Sequence, residues 1–385
     1  MAGMQMMTAA TIGGALIFGM ALALLGQLKS AVARREPASF VGPIRRWLLA
    51  LHVALIPLVL LSGVLLDMYG ARPILVAGSV MLSVALVGLS LRPTYPHALA
   101  AVLLAGFGAS ALGTASIVLM PRAFFVAEET SAALNLGYVF IALGAMLTPV
   151  LTDILLDKIE LRRTLAVFAL LALTPAILAV FPSGGHGQFV EQRGNPAAIF
   201  DEPAFWVTAL VLFVYVPLEA SISTWTFALL TERGQDERTA AALMYGFWGG
   251  FLASRLLAAL FLHVNYLTEW WDRLLIVALP LLAAVLLGNL TGAEERDRPR
   301  AGLILLGLLL GPVLPTLLGL IFRAAPEEKG TTFGLAFASG SLGSLLLAQL
   351  NTPLLVGRHP LSALRLPIFL ALLVAAAALV LGLML

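Results

Sequence analysis

Long, unbroken apolar segments constrain this chain more than any other feature of its sequence. Twelve such segments of about 20 residues follow one another, without the alternation that is typical of membrane strands. A bilayer core about 30 Å thick needs about 20 helical residues at 1.5 Å each. Only 11% of the 385 residues are charged, whereas soluble domains carry about 25%. The sequence therefore predicts an all-α polytopic membrane protein.

Charges and Gly/Pro breaks set the predicted helix ends. No basic segment precedes the first run, Thr8 to Leu28, so we expect a retained helix rather than a signal peptide. The longest polar stretch, 183–203, is expected to link an N-terminal six-helix bundle (1–182) to a C-terminal one (204–385). The predicted helices are 8–30, 44–66, 73–91, 97–122, 131–156, 162–181, 204–230, 239–263, 273–291, 301–323, 331–356 and 362–384.

An internal repeat supports the division into six plus six helices. An offset of 199 residues separates Glu128 from Glu327, and the same offset separates Gly144 from Gly343. Both segments enter helices rich in small residues, which allow close helix packing in lipid. The two halves are therefore predicted to be parallel structural repeats.

The short segment between the second and third predicted helices carries a recognisable motif. It reads Gly63-Val-Leu-Leu-Asp67-Met-Tyr-Gly70-Ala-Arg72 and fits the pattern G-x-L-x-D-x-x-G-x-R. This pattern resembles the signature loop of the major facilitator superfamily of transporters. The resemblance implies a twelve-helix, two-bundle fold with this loop on the cytoplasmic side, where its acid contacts neighbouring helix ends and holds one conformational state.

Other stretches resemble the branch of that superfamily that contains fucose and glucose proton symporters. The seventh helix carries Tyr215, an intramembrane Glu219 and Trp225, and the eighth helix runs from Gly249 to Arg255 along a glycine-rich face. Three departures stand beside the resemblance. The usual loop motif continues with a further basic pair, whereas Ala71, Arg72 and Pro73 leave one base here. The antiporter signature of the fifth helix is absent, and neither the first helix nor the middle of the fourth carries an acid.

Glu219 and Arg255 are the charged residues deepest in the predicted spans. A charge at the bilayer centre costs about 2.5 to 3.5 kcal/mol, so such a residue is usually protonated, paired or exposed to an aqueous cavity. Glu219 is predicted to bind the proton or the substrate. Pairing with Arg255 is the competing interpretation, and the sequence leaves both open.

Several polar and aromatic side chains could face a central cavity. Amides, hydroxyls and aromatic faces are the groups that bind neutral sugars, so this set favours a polyol substrate, although packing or an interfacial belt would use the same residues. The prolines of Gly311-Pro-Val-Leu-Pro315 are expected to kink or unwind the tenth helix. The candidate binding residues beside Glu219 and Arg255 are Asn135, Tyr138, Tyr215, Trp225, Trp248, Gln349 and Asn351.

Asp67 and Arg72 form the candidate conformational pair of the loop motif, with Gly63 and Gly70 shaping the turn. A capped turn without a conformational role is the alternative interpretation. Charged residues after the fourth and tenth helices are possible partners of this pair. They are Arg122, Glu128, Glu129, Arg323, Glu327 and Glu328.

The sequence also excludes several classes of function. It contains no cysteine and no histidine pair with metal-ligand spacing, so neither thiol chemistry nor a metal site is predicted. No phosphate-binding loop with a lysine is present, which argues against an ATP-driven pump. A net charge of +2 gives no reason to expect nucleic acid as a partner. No cofactor and no enzymatic activity are expected.

The predicted function is secondary transport of a small polar, sugar-like solute, coupled to protons, by a monomer in the cell membrane. An exporter of drugs or amphiphilic metabolites is the first alternative, and a membrane-embedded sensor on a transporter fold is the second. The family orientation places six Lys/Arg residues in cytoplasmic loops and sixteen outside, whereas the positive-inside rule predicts the reverse orientation.

Overall fold

The computed structural model describes residues 2–35, 41–91, 95–124, 129–180, 195–232, 237–265, 270–291, 298–355 and 365–385. Within these ranges the regular structure is helical. The helices are α1 (Ala2–Arg35), α2 (Val41–Tyr69), α3 (Ala71–Ser90), α4 (Tyr95–Phe124), α5 (Thr130–Lys158), α6 (Leu161–Val180), α7 (Pro203–Glu232), α8 (Glu237–Val264), α9 (Trp270–Thr291), α10 (Arg298–Leu310), α11 (Val313–Ala324), α12 (Lys329–Leu355) and α13 (Arg365–Met384). A 3-10 turn, Ala198–Asp201, precedes α7.

The helices confirm the predicted fold class. Among the described residues, ten segments are long and apolar enough to cross a membrane. The seventh predicted helix, 204–230, corresponds to Pro203–Glu232, and the largest difference at an end is at α1, which begins at Ala2 rather than at residue 8. Apolar length locates the spans well because the bilayer imposes it.

The tenth predicted helix is broken in two, as its prolines predict. α10 ends at Leu310 and α11 begins at Val313, with Gly311 and Pro312 forming the turn between them. Pro312 and Pro315 have no backbone N–H, so each removes one hydrogen bond from the helical ladder. The break therefore leaves backbone carbonyls that need other donors.

The chain divides into two compact units. Unit 1 comprises Met1–Ala127, Gly137–Ile199 and Pro326–Leu335, and unit 2 comprises Glu128–Leu136, Phe200–Ala325 and Ala336–Leu385. In unit 1, α3 packs on α4 and α6, and α1 packs on α4 and α6; in unit 2, α8 packs on α10, and α13 packs on α7 and α9. The first residues of α5 group with unit 2 and those of α12 with unit 1, while the division at 183–203 stays a prediction.

Two glycines of the predicted repeat have the same role in their respective units. A Cβ atom added at Gly144 would overlap the carbonyl oxygen of Leu16 in α1. A Cβ atom added at Gly343 would overlap the carbonyl oxygen of Phe213 in α7. In each unit, therefore, the glycine allows two helix backbones to touch, which is a common way of packing helices in lipid.

Candidate functional site

A one-residue turn joins α2 to α3. Gly70 lies between Tyr69 and Ala71 and has φ 95° and ψ 157°, a conformation essentially restricted to glycine. Its N–H donates to the carbonyl oxygen of Leu66 at 2.7 Å. The loop motif therefore needs its second glycine for backbone geometry.

Asp67 binds the beginning of α12. Its Oδ1 accepts the N–H of Gly330 at 2.8 Å, and its Oδ2 accepts the N–H of Thr331 at 2.6 Å. These N–H groups belong to the first turn of α12. The first N–H groups of a helix have no acceptor within the helix, and this end carries a partial positive charge. The carboxylate is 3% exposed. Asp67 thus caps a helix that begins 262 residues further along the chain.

Gly63 allows α2 to approach this cap. A Cβ atom at Gly63 would overlap the carbonyl oxygen of Gly330, and a Cβ atom at Gly330 would crowd the Asp67 carboxylate. Both positions therefore need glycine for the contact to form. We call the group Gly63, Asp67, Gly330 and Thr331 the α2–α12 latch.

Arg72 binds a different helix end. Its Nε donates to the carbonyl oxygen of Ala179 at 2.8 Å, and its Nη2 donates to that of Val180 at 3.2 Å. These are the last two residues of α6, whose final carbonyls have no acceptor role inside the helix. The acid and the base of the motif therefore cap opposite kinds of helix end.

Charged side chains surround the α2–α12 latch. Burial, followed by the negative charges of Glu327 and Asp67, raises the pKa of Glu328. Burial, followed by the positive charge of Arg122, lowers the pKa of Lys329. The predicted partners Arg122, Glu327 and Glu328 thus lie near the latch, while Glu128 lies outside the described residues.

A second polar cluster lies in unit 2, at the beginning of α5. Ser131 Oγ donates to Asp272 Oδ2 at 3.1 Å, and Arg323 pairs with the same carboxylate. His263 Nδ1 lies 2.5 Å from Glu129 Oε2. Sequence reasoning named Glu129 and Arg323 but missed His263, Ser131 and Asp272. The offset of 199 could have directed attention to Ser131, because it places Gly330 of the α2–α12 latch at position 131.

The intramembrane charges occupy neighbouring helices of unit 2. Glu219 is partly buried near the middle of α7, and Arg255 of α8 is 6% exposed. Arg255 lies within electrostatic range of Glu219. Its guanidinium carbon also lies 4.3 Å from the ring centroid of Phe251, a distance typical of a cation–π contact.

At the break between α10 and α11, side chains of α7 and α8 donate hydrogen bonds to backbone carbonyls. Pro315 cannot donate to the carbonyl of Gly311, four residues earlier, and Arg255 Nε donates to that oxygen instead at 3.0 Å. The hydroxyl of fully buried Tyr215 donates to the carbonyl of Leu310 at 2.7 Å. Two predicted binding residues therefore hold the broken helix in this conformation.

The remaining candidate residues have different surroundings. Asn135 is fully buried in unit 2, and its Nδ2 donates to the carbonyl of Ser131 at 2.9 Å and to Thr316 Oγ1 at 3.0 Å. Tyr138, only three residues later, is buried in unit 1. Trp248 is 37% exposed and packs edge-on against Phe251. The side chains of Trp225, Gln349 and Asn351 lie outside the described part of the structure.

These placements bring some predicted residues together and separate others. Tyr215, Glu219, Trp248 and Arg255 lie on the adjacent helices α7 and α8. Within this set, Trp248 is partly exposed and Glu219 is partly buried. In the loop motif, Gly63 allows the approach of α12, Gly70 forms the turn, and Asp67 and Arg72 cap the ends of α12 and α6.

Comparisons with known proteins agree with the architecture. The model of the Major Facilitator Superfamily matches residues 46–348. The uncharacterised MFS-type transporter YfkL of Bacillus subtilis (strain 168) is 26% identical over 298 residues, 74% of this chain and 73% of that protein.

Solved structures share the fold at low sequence identity. The E. coli fucose:proton symporter FucP has a TM-score of 0.73 at 14% identity, covering 96% of this chain and 97% of its own. The human organic anion transporter MFSD10 has a TM-score of 0.71 at 16% identity and covers 99% of both chains. The proton:xylose symporter XylE has a TM-score of 0.69 at 14% identity, covering 98% and 94%.

Proposed function

Since the chain belongs to the major facilitator superfamily, and is therefore a multi-pass membrane transporter rather than an enzyme, we propose that it carries a small, sugar-like solute together with protons. Glu219 is the observation that supports this proposal. It lies near the middle of a membrane-spanning helix, partly buried and beside Arg255. An acid kept at this depth, despite a cost of about 2.5 to 3.5 kcal/mol, is suited to bind and release a proton during transport.

The groups around Glu219 suit a neutral polar solute. Trp248 offers an exposed aromatic face on α8, and a carboxyl can accept hydrogen bonds from hydroxyls. Alternating access would expose this group to each side of the membrane in turn. The likeness of fold to the fucose and xylose symporters supports a sugar as the first class of substrate to test.

Uptake into proteoliposomes tests this proposal. Purified protein is reconstituted, an inside-alkaline pH gradient is imposed, and uptake of labelled monosaccharides and polyols is measured. We expect the gradient to drive accumulation of a sugar in the wild type and in Glu202→Gln, an exposed acid that serves as the control. Glu219→Gln should lose this accumulation. Sugar uptake that does not depend on the pH gradient, or gradient-driven accumulation that is retained in Glu219→Gln, would contradict proton coupling through Glu219.

An organic anion is the second candidate substrate, and Arg255 is the observation that favours it. A nearly buried guanidinium places a permanent positive charge in unit 2. The fold likeness to the organic anion transporter is consistent with this candidate. Including labelled organic anions in the same panel distinguishes the two classes. If the substrate is an anion, unlabelled anions should reduce the uptake of a labelled anion, and sugars should not.

A further inference from the structure

Of the two prolines in the broken helix, only Pro315 frees the backbone carbonyl that Arg255 binds. An α-helical carbonyl accepts from the N–H four residues later, so Pro315 frees the carbonyl of Gly311 and Pro312 frees that of Leu308. Arg255 Nε donates to the carbonyl of Gly311 at 3.0 Å. The side-chain bond thus replaces the backbone bond that Pro315 prevents.

The same guanidinium acts on Glu219. Arg255 lies within electrostatic range of that carboxyl. The guanidinium of Arg255 also lies over the ring of Phe251. Among the described residues, the other helices near α7 carry their charged residues near their ends. Arg323 lies at the far end of α11, and the charged residues of α12 and α13 are their first residues, Lys329 and Arg365. On α8 the remaining charged or titratable groups are Glu237, Arg238, Tyr245 and His263.

We propose that Arg255 is a positioning residue that links the protonation of Glu219 to the break between α10 and α11. This inference rests on the proposed proton-coupled function. When Glu219 is ionised, its charge attracts the guanidinium and weakens the bond to Gly311. When Glu219 is protonated, that attraction is lost and the guanidinium holds the Gly311 carbonyl. The proton thereby changes how firmly the broken helix is attached to α8.

Replacing each proline separately tests this link. Pro315→Ala supplies a backbone N–H to the Gly311 carbonyl and releases Arg255 towards Glu219. Pro312→Ala adds an N–H at the same break but serves the Leu308 carbonyl, so it is the matched control. The full-length purified protein is titrated by infrared spectroscopy, and the protonated carboxyl band of Glu219 is identified by its loss in Glu219→Gln.

We expect Pro315→Ala to move the titration midpoint to lower pH by about one unit, a tenfold change in proton affinity, because a closer guanidinium favours the ionised carboxyl. Pro312→Ala should keep the wild-type midpoint. Arg255→Gln retains a donor for Gly311 but no charge, so its midpoint should move to higher pH. Both expected shifts can be measured without knowing the substrate.

Three results would overturn the link. They are equal midpoints in wild type and Pro315→Ala, equal shifts in both proline variants, and a Glu219 band that does not titrate in the wild type. The transport assay separates this inference from the proposed function. If the proline variants titrate like the wild type while proton-driven uptake still requires Glu219, the proposed function stands and the link to the broken helix is rejected.

Discussion

At the scale of single residues, the loop motif depends on backbone geometry as much as on charge. Gly70 has a φ of 95° and is the whole connection between α2 and α3. Its position fixes the end of α2 at Tyr69, two residues after Asp67. A side chain at residue 70 would therefore affect both the turn and the α2–α12 latch.

Gly70→Ala should destabilise the protein, because a residue with a Cβ atom in this conformation costs about 1 to 3 kcal/mol. Gly249→Ala is the matched control, since a Cβ atom there meets nothing within 4 Å inside α8. In a helix interior alanine is favoured over glycine by up to about 1 kcal/mol. Thermal unfolding should therefore show a lower Tm for Gly70→Ala and an unchanged or higher Tm for Gly249→Ala. Equal shifts would show that the turn carries no strain.

Asp67→Asn should weaken the α2–α12 latch. The amide keeps one acceptor but loses the charge, and each charge-assisted hydrogen bond contributes about 1.5 to 3 kcal/mol. The natural chain has no cysteine, so Thr332→Cys gives a single probe at a fully buried position in the first turn of α12. We expect maleimide to label this cysteine about tenfold faster in Asp67→Asn, which corresponds to about 1.4 kcal/mol.

Asp153→Asn is the control for that experiment, because Asp153 is exposed on α5. Its labelling rate should match that of Thr332→Cys alone. If Asp67→Asn also leaves the rate unchanged, the cap does not hold the first turn of α12. The contact between Asp67 and α12 would then form without stabilising the first turn of α12.

At the scale of elements, the beginning of α12 has several negatively charged side chains close together, and they repel one another. A helix N-terminus favours one nearby anion, and Asp67 already occupies that position. Glu328 then experiences burial and the repulsion of Glu327 and Asp67, and its pKa is raised above the ordinary value of 4.5. An ionised Glu328 therefore opposes the attachment of α12 at neutral pH.

Glu328→Gln should stabilise the protein slightly at neutral pH. A carboxyl with a raised folded-state pKa costs nothing below 4.5, and it lowers stability as pH rises from there to the raised value, above which the loss is complete. Because the group is partly exposed, we expect a rise in Tm of only about 1 to 2 °C above that window. Glu202→Gln, an exposed acid beside α7, should show no rise. A Tm for Glu328→Gln that is lower than wild type at neutral pH would contradict this account.

At the scale of the whole molecule, the sequence predicted the spans because the bilayer imposes their length. The break at Gly311 and Pro312 was also predicted, since proline has a local and obligatory effect on the helical ladder. The partners of the break were not predicted. Arg255 and Gly311 are 56 residues apart, and nothing in the local pattern shows which donor meets a freed carbonyl.

The polar cluster of unit 2 was missed for a related reason. Asp272 contacts Ser131 from 141 residues away, and His263 contacts Glu129 from 134 residues away. Neither Asp272 nor His263 lies in a motif, and both lie near helix ends, where charged residues are common. The repeat offset of 199 relates only Ser131 of this cluster to the α2–α12 latch, by pairing it with Gly330. The motif therefore named Gly63 and Asp67 of the α2–α12 latch, but neither their partners in α12 nor the second cluster.

Orientation in the membrane is the property for which two sequence rules disagree. The loop motif implies that the α2–α3 turn is cytoplasmic, whereas sixteen of the Lys/Arg residues would then lie outside and six inside. Glu160 and Asp201 are exposed residues on either side of α6, which spans the membrane, so they must face opposite sides. A single cysteine at either position reports the orientation without a background of native cysteines.

We expect Glu160→Cys to react with an impermeant maleimide in intact cells and Asp201→Cys to react only after permeabilisation. The motif should prevail because it sets which helix ends meet in the folded protein, through the two hydrogen bonds of Asp67 to α12. The Lys/Arg bias acts during insertion and is a statistical tendency. The reversed labelling pattern would contradict this expectation, and it would place the α2–α12 latch on the outer side of the membrane, where it would control entry from outside.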